Sequence, residues 1–408
     1  MTDHLYYHDS FLCEFDAEVL DSSAEPRPCL ILDRTAFYPT SGGQVFDTGT
    51  ITFADAGDSG VRVVEVVEQD GGTILHLLET PVTIEKGSHV HGQIDVERRR
   101  DHMQQHSGQH VLSAAFVRLF DMPTVSFHMG VDTCSIDLDA KILTSAQVEA
   151  AEKLANNVIM EDRPVAIRFA TQEEVRGLVL RKLPPVERDK LRLIDVHDFD
   201  LTACGGTHVS ATGQIGCILL RKIEKVRQGW RVEFVCGQRA VATARRDYSS
   251  LAESAAMLST QLWEIPQVVR KLQKETRGAC KAREQLLEEL ADLYATRLLS
   301  DAPIVGGRRV IVRTFSDRGA AFIKLLAQRL TRQASDVVAL LGSASDPAAL
   351  VFAQSAGLPF DMGALLKEAL AQLGGRGGGT KDMAQGGPAR AEGLENVLGD
   401  LAARRVNL

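Results

Sequence analysis

Two pairs of nitrogen and sulfur donors, far apart in the chain, constrain this sequence more than any other feature. His106 and His110 stand four positions apart, with His102 one turn upstream. Around them Val111, Leu112, Ala115, Phe116 and Leu119 recur at helical spacing behind a polar, basic start at Glu97, Arg98, Arg99 and Arg100, which predicts a long helix from Val96. Residues four apart on a helix share a face, so neighbouring histidines converge on one point. The second pair lies in Ala203-Cys204-Gly205-Gly206-Thr207-His208, where a thiol and an imidazole flank two glycines that permit a tight turn. A His, His, Cys, His set suits Zn²⁺, which takes nitrogen and sulfur ligands tetrahedrally and in catalytic sites keeps a position for water or substrate. Each pair alone has a plainer reading: helical histidine pairs are often surface residues, and a cysteine beside a Gly-Gly turn is often just buried. The residues by themselves leave three ligands plus water and four protein ligands both open.

A chain of 408 residues holds two to four units at about 100–200 residues each, and 44% hydrophobic with 25% charged residues describes a globular protein. Its net charge of −8 argues against bulk attraction to nucleic acid, so any RNA contact must be focused in a local basic patch. The apolar runs, such as 337–341, fall far short of a membrane span, and the acidic start (Asp3, Asp9, Glu14, Asp16) is unlike a signal peptide. The expectation is a cytoplasmic protein. Seven cysteines without a repeated spacing make a disulfide framework improbable and leave thiols for metal.

The expected fold class is α+β. Residues 1–94 read as short strands and turns, including 61–67 and 73–78, and suggest a β-barrel-like domain. Residues 95–240 combine the long helix, a second helix near 146–160 and strands near 165–169, 192–197, 215–224 and 230–236, an α+β core that carries the zinc candidates. In 241–302 Leu272, Ala279, Leu286 and Leu293 recur every seven residues with Leu290 offset by four, the pattern of a helical hairpin or coiled coil, and this mildly favours a homodimer. Residues 303–408 alternate strand (310–314), helix (320–332), strand (337–341) and helix (362–373), an α/β domain.

The two donor motifs, Met103-Gln104-Gln105-His106-Ser107-Gly108-Gln109-His110 and Ala203-Cys204-Gly205-Gly206-Thr207-His208, resemble the paired zinc motifs of the AlaX family and of alanyl-tRNA synthetase editing domains. In that family the helix motif begins His-Ser or His-Thr, which matches His106 and His110 and leaves His102 outside it. Ser41-Gly42-Gly43-Gln44 resembles the family's loop beside the editing pocket, making Gln44 a candidate substrate contact; otherwise it reads as a β-turn. Thr124, after the helix, stands where similar proteins use a threonine hydroxyl to sense the hydroxyl of serine. The tract Gly374-Gly375-Arg376-Gly377-Gly378-Gly379 with Met383-Ala384-Gln385-Gly386-Gly387 is similar to the signature of the synthetase's C-terminal domain, which in that family helps bind tRNA and oligomerise. It reads otherwise as a flexible linker, but it precedes a helical-looking 389–405, and its amides with Arg376 and Lys381 suit RNA phosphate.

The resemblance covers nearly the whole chain and matches the long, C-terminally extended form of AlaX. It implies a zinc-dependent hydrolase that deacylates tRNA(Ala) mischarged with serine or glycine, with His106, His110, Cys204 and His208 on the metal, Gln44 and Thr124 at the substrate, and Arg376 and Lys381 on the tRNA. A competing reading is a zinc-stabilised tRNA-binding protein without hydrolytic activity. Four protein ligands and no bound water would favour it.

Overall fold

In the computed structural model, residues 2–53, 60–69, 71–181 and 190–406 are described. The chain divides into two compact units, Met1–Glu253 and Ser254–Leu408.

The first unit opens with the expected barrel. Strands Glu14–Ser23, Cys29–Leu32, Thr73–Leu78, Val61–Gln69, Gly49–Phe53 and His89–Ile94 close on themselves in that order, each antiparallel to its neighbour. Alternation drives it: in Glu14–Ser23, Phe15, Ala17 and Val19 are buried while Glu14, Asp16 and Glu18 face out. These inward residues join Leu30, Leu32, Ile51, Ile74 and Val90 in one core.

Helix Val96–Phe120 follows directly. Residues 102–116 are buried without a break, polar ones included, so this is a central helix rather than an amphipathic one on the surface. Its apolar side packs with helix Ser145–Met160 and the four-stranded sheet Ile218–Val226, Gly229–Cys236, Cys134–Leu138 and Thr124–Met129. Its buried amides are saturated, as burial requires: Gln105 exchanges hydrogen bonds with the backbone of Cys236 (2.8 and 3.0 Å), and Gln104 donates to the Gln214 carbonyl (2.9 Å). At Gly108 an added Cβ would lie 2.2 Å from Cys236 Sγ, so glycine is what lets helix and sheet approach this closely. A three-stranded antiparallel sheet, Val165–Thr171, Lys190–Val196 and Asp200–Ala203, completes the unit and delivers the Cys204 loop.

The second unit begins with the helical segment. Helix Ile265–Asp301 runs for 37 residues. Leu287, Leu290, Ala291, Tyr294, Ala295 and Leu298 form the face that packs into this unit's core. The heptad positions Leu272, Leu286 and Leu293 lie off that face, 44%, 64% and 70% exposed.

A six-stranded sheet follows, in the order Ile304–Val305, Arg308–Phe315, Val337–Ser343, Ala349–Gln354, Met383–Pro388, Gly375–Gly379. Helix Ala320–Gln333 and the end of the long helix cover one face; Met362–Leu373 and Leu394–Arg405 cover the other. Val337–Ser343 and Ala349–Gln354 are buried along their whole length, the mark of strands covered on both sides. The glycine tract is an exposed edge strand carrying Arg376, not a linker. Residues 383–388 pair with it as a strand, so the last helix starts at Leu394, later than the expected 389. No helix among the described residues is long and apolar enough to cross a membrane.

Candidate metal centre and the cavity beside it

The helix presents His106 and His110 to the loop that leaves strand Asp200–Ala203, and there they meet Cys204 and His208. One donor atom from each of the four lies within 4.8 Å of all the others. Cys204 Sγ is 3.5 Å from His106 Nε2 and 3.3 Å from His208 Nε2. Metal–ligand bonds of roughly 2.0–2.3 Å at tetrahedral angles put ligands about 3.4–3.6 Å apart, so this spacing fits a zinc-sized ion.

What lies behind the ligands fits as well. Each imidazole turns Nδ1 away from the cluster toward a polar partner: His106 to Gln44 Oε1 (2.7 Å), His208 to Ser107 Oγ (3.1 Å), and His110 toward Asp200 Oδ2 at 3.6 Å. With Nδ1 protonated and facing outward, Nε2 is left as the donor, the usual outer-sphere arrangement of a metal-binding histidine. The loop is pinned by Arg192, whose Nη1 donates to the carbonyls of Cys204 (2.6 Å) and Gly206 (2.9 Å) and whose Nε donates to that of Tyr7 (2.8 Å). Glycine at 206 is obligatory on steric grounds, because a Cβ there would sit 2.2 Å from His106 Cε1.

The electrostatics favour the ligating state at Cys204, His106 and His208. Burial alone would raise the Cys204 thiol, but the charges of His106, His208 and His110 and a hydrogen bond from His106 bring it well below its ordinary value. Burial pushes His208 well down and His106 down. For His110 burial is outweighed by Cys204 and Asp200, and its value rises. Asp200, opposed by burial, is held below the usual carboxylate range by His110 and by Arg181, which grips it at 2.7 and 3.0 Å.

The cluster opens on a cavity of about 840 Å³. Thr124, the first residue of its strand, lines this cavity with Gln109 and Ser126. Gln109 Nε2 donates to Ser113 Oγ (2.8 Å), which lies 2.7 Å from Thr124 Oγ1.

Gln44 has a different place from the one its loop suggested. It is fully buried, its Oε1 accepting from His106 and from the Thr207 amide (3.1 Å) and its Nε2 donating to Thr207 Oγ1 (2.9 Å). The carboxamide is used up behind the ligands; Ser41 and Gly42 of the same loop are what reach the cavity wall. His102 is 1% exposed and outside the cluster, its Nδ1 3.9 Å from Asp47 Oδ1, and burial beside Arg98, Arg239 and Arg99 lowers it to about 3. Arg376 and Lys381 are exposed on the second unit.

Asp200, Arg192, Ser113 and Arg181 are functional neighbours that sequence reasoning missed. Ser113 alone left a trace, four residues beyond Gln109 on the motif's own helix. The others come from strands or a loop whose partners only the tertiary fold reveals.

Comparison with known proteins gives the family. The chain is 32% identical over its full length to alanyl-tRNA editing protein AlaX-L of Pyrococcus horikoshii, covering 98% of that protein. It belongs to the AlaX family of alanyl-tRNA editing proteins. Two alanine–tRNA ligases, from Pyrococcus furiosus and Thermococcus kodakarensis, are each 33% identical over 97% and 95% of this AlaX chain, which spans 43% and 42% of their lengths. Family models place a class II (A) tRNA synthetase match at residues 8–98, the threonyl and alanyl tRNA synthetase second additional domain at 191–232 and a DHHA1 domain at 307–406. The second of these contains Cys204 and His208. A solved C-Ala domain from Aquifex aeolicus alanyl-tRNA synthetase matches 25% of the chain and 96% of its own, at 21% identity and a TM-score of 0.24.

Proposed function

We propose that this chain edits tRNA(Ala) in trans, hydrolysing the ester that joins a wrongly attached serine, or the smaller glycine, to the tRNA. The observation that carries this reading is a buried His106, His110, Cys204 and His208 cluster opening directly on a cavity that Thr124 lines. His106, His110, Cys204 and His208 would hold a zinc ion, and with three of them bound and the fourth position open the ion would supply Lewis acidity toward the ester carbonyl or a water. An aminoacyl ester is already activated, so polarisation and positioning suffice without a Ser-His-Asp triad.

The protein's own part is orientation and selection. Arg192 and Gly206 fix the loop that carries two ligands, while Gln44, Ser107 and Asp200 fix the imidazole faces. Ser113 Oγ accepts from Gln109 Nε2 and shares a hydrogen bond with Thr124 Oγ1; with Ser113 as its donor, the Thr124 proton is left for the cavity. A serine hydroxyl satisfies that donor; alanine leaves it unpaired, which disfavours the correct product.

A second reading, a zinc-stabilised tRNA-binding protein, is supported by the four converging protein donors, which can close a structural site. Deacylation of Ser-tRNA(Ala) and Ala-tRNA(Ala) by wild type, Cys204→Ala and His110→Ala, with bound zinc measured by elemental analysis, separates the two. Selective serine release that falls about 100-fold or more with loss of the metal is expected. Zinc-replete wild type that releases neither amino acid would establish the binding protein instead.

A further inference from the structure

Among the largest side chains that the fold buries completely is a charged one, Arg99, in the first turn of helix Val96–Phe120. A guanidinium without a counter-charge costs too much to bury, and this one has Asp47, which is fully buried as well. Arg99 donates to Asp47 Oδ2 from Nε (3.1 Å) and from Nη2 (2.5 Å). Such a pair is weak evidence for stability, because well-packed apolar residues of similar volume serve a core as well or better. What the pair holds is the better guide to its role.

The same guanidinium reaches two segments that have no regular structure of their own. Nη1 donates to the Ser10 carbonyl (2.8 Å) and Nη2 to the Ala36 carbonyl (2.5 Å). Ser10 precedes strand Glu14–Ser23, and its Oγ accepts from the backbone amide of His208 (3.1 Å). Ala36 opens the loop between strands Arg34–Thr35 and Gly49–Phe53, and Asp47 closes its neck. There the Tyr38 amide donates to Asp47 Oδ2 (2.8 Å) and the Asp47 amide to the Tyr38 carbonyl (3.0 Å). At the tip of the loop Ser41 and Gln44 exchange backbone hydrogen bonds of 3.0 Å, and Gln44 Oε1 accepts from His106. Arg99 and His106 are seven residues apart on one helix, so they share a face and lie about 10 Å apart along its axis. The loop is therefore fastened at its neck to Arg99 and at its tip to His106. The Ser10 segment is fastened to Arg99 by its carbonyl and to His208 by its hydroxyl.

We infer that Arg99 is a positioning residue for the metal cluster, acting through the Gln44 loop on His106 and through Ser10 on His208. The inference rests on the metal reading of the cluster and not on ester hydrolysis. Lysine is no substitute at this position. An ammonium keeps a charge beside Asp47, but as a point charge it lacks the planar fork that spans three segments.

The test uses full-length protein stripped of metal. It is titrated with zinc against a chromophoric chelator and, separately, with cobalt(II), whose visible absorption reports the geometry of its ligands. Arg99→Lys is expected to weaken zinc binding about 10- to 100-fold, the range for losing an outer-sphere support, and to change the cobalt absorption in position and intensity. Ser10→Ala leaves the Arg99–Asp47 pair intact and removes only the acceptor of the His208 amide. It is expected to move both readouts in the same direction by less, and it decides the question if Arg99→Lys does not fold. Ile74→Ala, which opens a cavity in the barrel core outside both segments, lowers the melting temperature and leaves both metal readouts at wild type. Wild-type zinc affinity and cobalt absorption in both Arg99→Lys and Ser10→Ala would overturn the inference and leave the metal reading standing. An equal loss of zinc affinity in Ile74→Ala would overturn it too, because lost stability alone would then account for the effect. A wild type that takes up neither ion would remove the metal reading and the inference with it.

Discussion

Gln44 and Ser113 never touch the substrate in this arrangement, yet each decides what a neighbouring group can do. Gln44 Oε1 accepts from His106 Nδ1 and from the Thr207 amide inside a fully buried pocket. In Gln44→Ala both donors lose their acceptor, and the tautomer that leaves His106 Nε2 for a metal is no longer enforced. Zinc affinity, measured by competition with a chromophoric chelator, should fall about 10- to 100-fold, the usual cost of removing an outer-sphere partner. An unchanged affinity would show that the cluster orients itself. Ser113 acts on selectivity. It is fully buried, accepts from the Gln109 amide and shares a hydrogen bond with Thr124 Oγ1, so Ser113→Ala frees the Thr124 hydroxyl to rotate. Serine release should slow about 10-fold, roughly one hydrogen bond, with bound zinc unchanged. Ala-tRNA(Ala) should be spared less well. A serine-to-alanine ratio equal to wild type would remove the relay from the account.

At the scale of elements, the barrel contains its own acid sensitivity. His76 of strand Thr73–Leu78 is fully buried between the Leu30 carbonyl (3.1 Å) and Thr35 Oγ1 (2.8 Å), and burial lowers it to about 4, although the Leu30 hydrogen bond acts in the opposite direction. In the unfolded chain a histidine takes a proton near pH 6.5. Between that value and about 4 the unfolded state therefore binds more protons than the folded one, and stability falls as pH falls through that window. The contribution is about 3 kcal/mol at full extent. Urea unfolding from pH 7 to pH 4 should show this loss and His76→Gln should flatten the dependence; parallel profiles for the two proteins would assign the acid sensitivity elsewhere.

The same scale shows what the sequence made legible. Strands such as Glu14–Ser23 alternate one buried and one exposed residue, so the barrel shows in the pattern. The donor motifs were visible because His106 and His110 share one helical face and Gly205-Gly206 marks a turn. Helix Val96–Phe120 showed in the spacing of Val111, Leu112, Ala115 and Phe116, but not that its polar residues are buried as well; only the fold shows that Gln105 caps the Cys236 backbone. Strand Gly375–Gly379 has no side chain but that of Arg376, so nothing alternates along it and a linker was the plainer reading. The heptad in Ile265–Asp301 is a real periodicity, but the face that packs in this chain is the Leu287, Leu290, Ala291 and Leu298 stripe beside it. Asp200 and Arg192 carry no local mark, since what makes them functional is a loop and a helix remote in sequence.

At the scale of the whole molecule, the metal cluster and the exposed cations Arg376 and Lys381 fall in separate units. All four donors and every cavity residue named here lie within Met1–Glu253, which has the barrel and the central-helix core to itself. Ser254–Leu408 has an independent two-sided core, and on its exposed edge strand Arg376 stands close in sequence to Lys381. A chain ending after Met257 keeps helix Gly237–Met257 whole and should fold, bind one zinc and release serine from a short aminoacylated minihelix at the wild-type rate. For full-length Ser-tRNA(Ala) its KM should rise about 100-fold with kcat unchanged, because linked binding surfaces multiply affinity without altering the reacting group. Arg376→Ala and Lys381→Ala in the full chain should each reproduce part of that rise and lower the salt slope of KM by about one, the mark of a lost phosphate contact. If the shortened chain instead keeps the KM for tRNA, the second unit holds no RNA, and recognition rests on the first unit alone. A shortened chain that folds and binds zinc but loses kcat on the minihelix would mean that the second unit completes the site and that the two units do not act separately.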